Sequence, residues 1–489
     1  MNVRNARPAL AALMLCSIPL SSSGAGDSCE SGGREPLGAE GPPHSKATCV
    51  AATATFAGAQ IEQGVMQQRA AESTRMPDVI PVPPAAQPGP NFNAEAATEA
   101  YLTEIPATAR TRSDAYFEGG YWLMLWDFLL TVAVCLLLLN LHWSAAMRNF
   151  AERLTRFRPV QTFIYWCEYL VLFTVLTFPM AVYEGYFRER KYGLATQTFG
   201  GWLSDQFKGL LIGIILGGIA VTALFGIVRR LVRTWWIWGA LVTWLFSILF
   251  IMIAPAYLVP IFYHPKPLDD PRITRPILEM AHANGIAVND IYEIDESTKS
   301  NRMSANVSGL GKTMRITLND NLLRRGSLEE IEAIMGHEMG HYVMHHIENT
   351  ILFLLIVITV GFSLLRWSLD ACLKRWGEKW QIRGIGDPAI VPLVVLLASI
   401  FFFLLTPVTN TFTRTQEYEA DMYGLNASRQ PDGEAQADVH LGEYRKMGPT
   451  KVEEFIFYDH PSGRNRIYAA MRWKAYNLKL YSLPRGQGY

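Results

Sequence analysis

"PAIVPLVVLLASIFFFLLTPVTNTFTRTQEYEADMYG", residues 388–424, carries no charge from Pro388 to Phe412 and then turns abruptly polar and acidic. An α-helix rises ~1.5 Å per residue, so ~20 apolar residues cross the hydrocarbon core of a bilayer. Five more such runs precede this one: Tyr121–Leu139, Val160–Met180, Gly209–Val228, Trp235–Phe262 and Ile351–Leu365. The last is short for a span and would draw Arg366 and Trp367 into the headgroup layer. Of 489 residues, half are hydrophobic and 18% are charged, where about a quarter is usual in soluble domains. The pattern predicts a mainly α, multi-span helical membrane protein with about six or seven spans. Lys plus Arg equals Asp plus Glu at 44 each, so no overall field argues for nucleic acid as a partner. Asp127 and Glu168 fall inside spans, where a carboxylate implies a wet interior, a partner, or a place near the interface.

The amino end has Arg4 and Arg7, a short apolar stretch from Pro8 to Leu20, and then small residues. Residues 1–25 are therefore expected to be a signal peptide or an N-terminal anchor, the anchor supplying a possible seventh span. Residues 26–112 are rich in Ala and Pro, without helical or alternating apolar periodicity, and are expected to form a disordered linker. Cys29 and Cys49 lie in that tail and would pair only in an oxidising compartment.

Between the fourth and fifth spans lies "MGHEMGHYVMHH", residues 335–346. Residues four apart share a helical face, so His337 and His341 can direct two imidazoles at one metal ion. Glu338 is turned about 100° from His337, beside such an ion rather than on it. A carboxylate there can take a proton from a water that zinc acidifies and pass it to a leaving amine. Ser327 and Glu330 have capping-box spacing, and Ile331, Ile334, Met335 and Met339 supply helical apolar spacing, so the motif sits on a helix. Gly336 and Gly340 would leave room around the metal. His345 and His346 are expected to form a polar helix end, with one of them a possible support to the site.

A zinc held by two histidines commonly takes a carboxylate as third ligand. Glu417 and Asp421 are four apart in "TRTQEYEADMYG", residues 413–424, so they share a face while Glu419 points away. Arg414 lies on the shared face and would orient a carboxylate. Glu417 comes 76 residues after His341, with two apolar runs between them. Two crossings bring the chain back to its starting side, as joint coordination requires. The expected organisation is spans one to four over 113–263, a catalytic segment over 264–349, a membrane hairpin over 350–412, and a second catalytic segment over 413–489.

HExxH, a membrane hairpin, and then ExxxD preceded by Arg resemble the Ste24-type CAAX prenyl proteases of the M48 family, integral-membrane zinc metallopeptidases. The family's second block usually begins Ser-Arg, where this chain has Thr413-Arg414. The resemblance implies that His337, His341 and Glu417 bind one zinc, that Glu338 is the general base, and that Asp421 donates a proton or orients a histidine. The orienting role is the one favoured physically. "HPSGRNRI", residues 460–467, is similar to the family's His-Pro motif, which would give His460 and Arg466 to the oxyanion or the substrate carbonyl. "RMSANVSGLGKTMRITLNDNLL", residues 302–323, alternates like paired strands around Met314–Asp320. In the family this region holds extended substrate on an edge strand, and Asn306 matches its asparagine. The similarity covers roughly residues 113–480, and the eukaryotic members have seven spans.

The implied activity is hydrolysis of a peptide or protein substrate, lipid-modified in the CAAX reaction, near or within the lipid bilayer. HtpX-like quality control of membrane proteins is the alternative, because the leader-like amino end suggests a bacterial inner membrane. A zinc-bound scaffold or transporter without turnover is a different class, against which Glu338 argues. Cytoplasmic loops collect Lys and Arg. Arg148, Arg153, Arg156 and Arg158, then Arg229, Arg230 and Arg233, then Arg366, Lys374, Arg375, Lys379 and Arg383 follow the odd-numbered spans. Arg188, Arg190, Lys191 and Lys208 lie on the catalytic side. Charge counting puts the zinc outside the cytoplasm, whereas the eukaryotic family puts it on the cytosolic side.

Overall fold

The computed structural model describes residues 76–308 and 314–481. The proposed leader over 1–25, the first part of the expected linker, and both tail cysteines lie outside the described residues.

Among the described residues, six helices are long and apolar enough to cross a membrane: α2 (Ala107–Asn140), α4 (Arg158–Lys191), α5 (Phe199–Arg230), α6 (Trp235–Ile253), α9 (His346–Trp376) and α10 (Val391–Ser428). Short helices α1 (Ala94–Thr103) and α3 (Trp143–Leu154) flank α2. Val175, Leu249, Ile356 and Leu404 are exposed on the spanning helices, as a lipid solvent allows, while Leu138, Tyr165 and Trp166 are buried between them. The spans run beyond the apolar stretches. In particular, α10 continues without a break through residues 413–428, so the acidic block is the end of the last spanning helix rather than part of a separate segment.

Helix α9 has 31 residues, so its two ends lie about 46 Å apart. At its far end the arginine-rich loops are tied to one another. Arg148 pairs with Asp387 at 2.5 Å and donates to Gln381 O, Arg229 donates to Gly386 O, and Arg383 meets Glu152 at 2.7 Å. The catalytic motif lies at the near end.

There, strands β1 (Lys266–Pro267), β2 (Ile291–Ile294), β3 (Ala305–Ser308) and β4 (Arg315–Asn319) form one sheet in the order β1-β2-β4-β3. The β2–β4 pair is parallel and the other two are antiparallel. Helices α7 (Pro271–Ala283) and α8 (Leu328–Val343) cover it, with Ile277, Ile331, Met335 and Met339 sharing a core with Ile316 and Leu318. Helices α11 (Pro431–Leu441), α12 (Lys451–Phe457) and α13 (Gly463–Tyr476) complete this end.

Residues 76–112 correct the linker expectation, because they are folded. Met76, Ile80, Ala86, Tyr101 and Leu102 are buried against Val439, Ile467 and Met471. Around Pro83 the backbone is of polyproline type, with φ −60° and ψ 151°. Apart from one 3₁₀ turn at Pro84–Ala86, this strap of residues 76–92 forms no helix or strand, so most of its carbonyls need tertiary donors. Gln436 donates to Ile80 O, His440 Nε2 lies 2.9 Å from Pro77 O, and Lys474 Nζ donates to Ala86 O at 2.7 Å. Composition alone could not report these partners, because they come from α11 and α13.

Candidate metal centre

Helix α8 begins at Ser327, whose hydroxyl accepts from the Glu330 amide. The second half of the expected capping box is absent, since the Glu330 carboxylate is instead buried against His440 Nδ1 at 2.9 Å. The glycines of the motif also do something other than expected. A methyl added at Gly336 would meet Gly424 O at 2.9 Å, one at Gly340 would meet Ala420 Cα at 3.1 Å, and one at Gly424 would meet His337 N at 2.7 Å. The space that glycine leaves is filled by the backbone of α10, and the two helices touch along it.

That contact brings the predicted ligands together. His337 Nε2 lies 3.1 Å from His341 Nε2 and 3.2 Å from Glu417 Oε2, and His341 Nε2 lies 3.6 Å from the same oxygen. Four ligands set tetrahedrally at 2.0–2.1 Å from a zinc ion would stand about 3.3 Å apart. Glu417 Oε2 is buried and has no hydrogen-bond partner, although imidazole nitrogens surround it. Three imidazole nitrogens, Nε2 of His337, His341 and His460, stand 3.1–3.6 Å from this buried carboxylate oxygen, a donor set of the kind a divalent cation takes. These three are the group among the described residues with metal-ligand spacing.

Behind His337, Asp421 Oδ1 lies 2.7 Å from Nδ1, the orienting arrangement. Arg466 donates through Nε to Asp421 Oδ2 at 2.9 Å and through Nη2 to Oδ1 at 2.6 Å. It also reaches Asp438 Oδ1 at 2.9 Å and Glu434 Oε1 at 3.0 Å. This corrects the oxyanion assignment for Arg466, because three buried carboxylates claim its guanidinium. Glu434 and Asp438 have their pKa values raised by burial, with Arg466 opposing.

Arg414 also does something other than expected. It does not bind Glu417, but donates to the main-chain carbonyls of Glu454 at 2.8 Å and Tyr458 at 2.6 Å. Glu454 O also accepts from the Tyr458 amide, and Tyr458 caps the carboxy end of α12, where helical carbonyls run out of internal donors. Arg414 thereby fixes the turn that delivers His460. His460 Nε2 stands 3.1 Å from Glu417 Oε2, and its Nδ1 stands 2.8 Å from Asp459 Oδ1. Glu338 is half-buried one position past His337. Asn306 sits on the edge strand β3 opposite Thr317, and its side-chain oxygen is buried and unpartnered.

Several neighbours were not legible as functional. Glu434 and Asp438 repeat the four-residue interval of Glu417 and Asp421, but no histidine pair or family motif singled them out, and Asp459 stands alone beside His460. His346, expected at a polar helix end, is buried with Nδ1 2.9 Å from His341 Nδ1. Glu419, which turns away from the Glu417 face, meets His346 Nε2 at 3.1 Å.

Burial lowers the pKa of His337, but the flanking carboxylates of Asp421 and Glu417 outweigh it and hold the ring up at about 10. A divalent ion must therefore displace a proton that the metal-free site holds throughout the neutral range. Zinc affinity is expected to fall about tenfold per pH unit as pH drops below about 10. A chelator-competition titration at pH 9 and pH 7 checks this, and equal affinities would contradict it.

Residues 93–264 match the family described as CAAX prenyl protease N-terminal, five membrane helices, and residues 267–474 match peptidase family M48. The first stretch contains four of the six spanning helices here, α2, α4, α5 and α6. A Bacillus subtilis (strain 168) protein named uncharacterized metalloprotease YhfN is 29% identical over 329 residues, covering 67% of this chain and 77% of its own length. CAAX prenyl protease 1 of Saccharomyces cerevisiae is 28% identical over 315 residues, covering 61% and 69% respectively. The crystal structure of S. mikatae Ste24p has the same fold, with a TM-score of 0.65 at 22% identity over 75% of this chain and 89% of that one. A metalloprotease domain so joined to a bundle of spanning helices makes this chain a membrane metalloprotease of peptidase family M48, resembling the CAAX prenyl proteases.

Proposed function

We propose that the protein is a zinc-dependent endopeptidase, with His337, His341 and Glu417 as the zinc ligands. The observation that carries this is the convergence of those three donor atoms, two from α8 and one from α10, at separations of 3.1–3.6 Å. A bound zinc ion would supply Lewis acidity, acidifying a water and polarising a scissile carbonyl.

The chain's own residues do the rest. Glu338, one position past His337 on α8, takes the proton from the attacking water and returns it to the leaving amine. Asp421 holds the His337 ring with Nε2 toward the ligand cluster, and Arg466 holds Asp421 in turn. His460, oriented through Nδ1 by Asp459, is the donor for the developing oxyanion. Edge strand β3 pairs with extended substrate, and Asn306, with its unsatisfied oxygen, accepts a hydrogen bond from the peptide.

Cleavage of prenylated carboxy termini is the substrate class we favour, because CAAX prenyl protease 1 of yeast is among the relatives. The second reading is HtpX-like quality control of membrane proteins, since the Bacillus subtilis relative is named only as a metalloprotease and not by a prenylated substrate. The lysines and arginines crowded at the end of the bundle away from the site favour a catalytic face outside the cytoplasm.

Glu338→Gln should lower kcat on a prenylated CAAX peptide by about 10²–10⁴-fold while zinc content stays unchanged, as activity and metal assays on purified protein would report. Undiminished turnover would remove Glu338 from the mechanism. For orientation, Val452, exposed on α12, is a suitable position. In a cysteine-free background, Val452→Cys should react with an impermeant maleimide on intact spheroplasts, and labelling only after lysis would reverse the assignment.

A further inference from the structure

We infer that His346 and Glu419 are positioning residues that hold the His341 ring for metal binding, an inference that rests on the zinc reading above. His341 turns Nε2 toward His337 Nε2 and Glu417 Oε2. Its other nitrogen, Nδ1, faces away and meets His346 Nδ1 at 2.9 Å. His346 Nε2 in turn lies 3.1 Å from Glu419 Oε2.

Bonding chemistry assigns the protons along this chain. A ligating Nε2 must be bare, so the neutral His341 ring carries its proton on Nδ1. His346 must then accept at Nδ1, which leaves its proton on Nε2, where Glu419 accepts it. One set of tautomers satisfies every contact. Asp421 supports His337 directly, and the His346–Glu419 pair gives His341 equivalent support through one more ring.

The local backbone serves this contact. On a continuous helix, residues five apart are rotated by about 140° and do not meet. Here His345 adopts φ 57°, a left-handed conformation that ends α8 and folds His346 back over His341. Left-handed backbone is uncommon in a residue with a Cβ, and such strain gathers where function requires it. The fold-back is pinned to α10, because Gln416 Nε2 donates to His346 O at 3.1 Å and accepts through Oε1 from Thr350. His346 is itself 3% exposed, whereas the Glu419 side chain is 45% exposed. The relay therefore runs from the metal site to the surface.

The test is the zinc dissociation constant of the purified full chain, measured by competition with a chromophoric chelator, together with the visible spectrum of the cobalt-substituted protein. His346→Ala should bind zinc about 10–100-fold more weakly than wild type, with a shifted cobalt spectrum. His346→Asn, whose Oδ1 can accept from His341 where the ring nitrogen did, should recover most of that loss. Glu419→Gln keeps an acceptor without the charge and should fall between wild type and His346→Ala. If His346→Ala matches wild type in both affinity and spectrum, the relay is wrong although the zinc site stands. If His346→Asn is folded by thermal melt yet binds no better than His346→Ala, the hydrogen bond is not what matters and the relay is likewise wrong. If wild type itself takes up no zinc, the zinc reading falls and the relay falls with it.

Discussion

Everything at the site depends on how closely α8 and α10 approach each other. Side chains larger than glycine at 336, 340 and 424 would push the two backbones apart, since each added methyl would stand 2.7–3.1 Å from backbone atoms across the contact. The imidazoles come from a helix that ends before the membrane hairpin, and the carboxylate comes from the helix that returns after it. The bilayer sets the length of that excursion, and the glycine contact turns it into a side-chain cluster with edges of 3.1–3.6 Å.

Behind the cluster is a buried electrostatic scaffold. Arg466 is 9% exposed and binds Asp421, Glu434 and Asp438, so one cation organises three carboxylates in a dry setting. Removing one partner from such a network commonly costs about 3–5 kcal/mol, because it strands a charge without water. The network reaches further through α11. His440 links Glu330 at the start of α8 to Pro77 O in the amino-terminal strap. The strap thus belongs to the same packed unit as the catalytic helix, although it precedes both matched families in the chain.

The spanning helices, the catalytic helix and the three candidate ligands were legible because each has a one-dimensional signature. Apolar length marks a span, a four-residue interval marks a shared helical face, and an even number of crossings marks a shared side. What sequence did not reveal depends on partners that are distant in the chain. Arg466 and Arg414 are cations near acidic residues in any reading, and only the folded positions of Glu434, Asp438 and the α12 carbonyls decide which acceptors they serve. Which of His345 and His346 meets His341 could not be read, because a helical wheel assumes an unbroken helix and His345 breaks it. The strap was missed because its irregular backbone has no periodicity to read and its tertiary hydrogen-bond donors are supplied by α11 and α13.

The central claim is that a single divalent ion joins the paired imidazoles of α8 to a carboxylate carried back through the membrane on α10. Anomalous diffraction at the zinc edge from crystals of the zinc-loaded protein tests it most directly. The account predicts one strong peak per chain, bounded by His337, His341 and Glu417. A peak elsewhere, or one touching the two rings with Glu417 turned away, would contradict it.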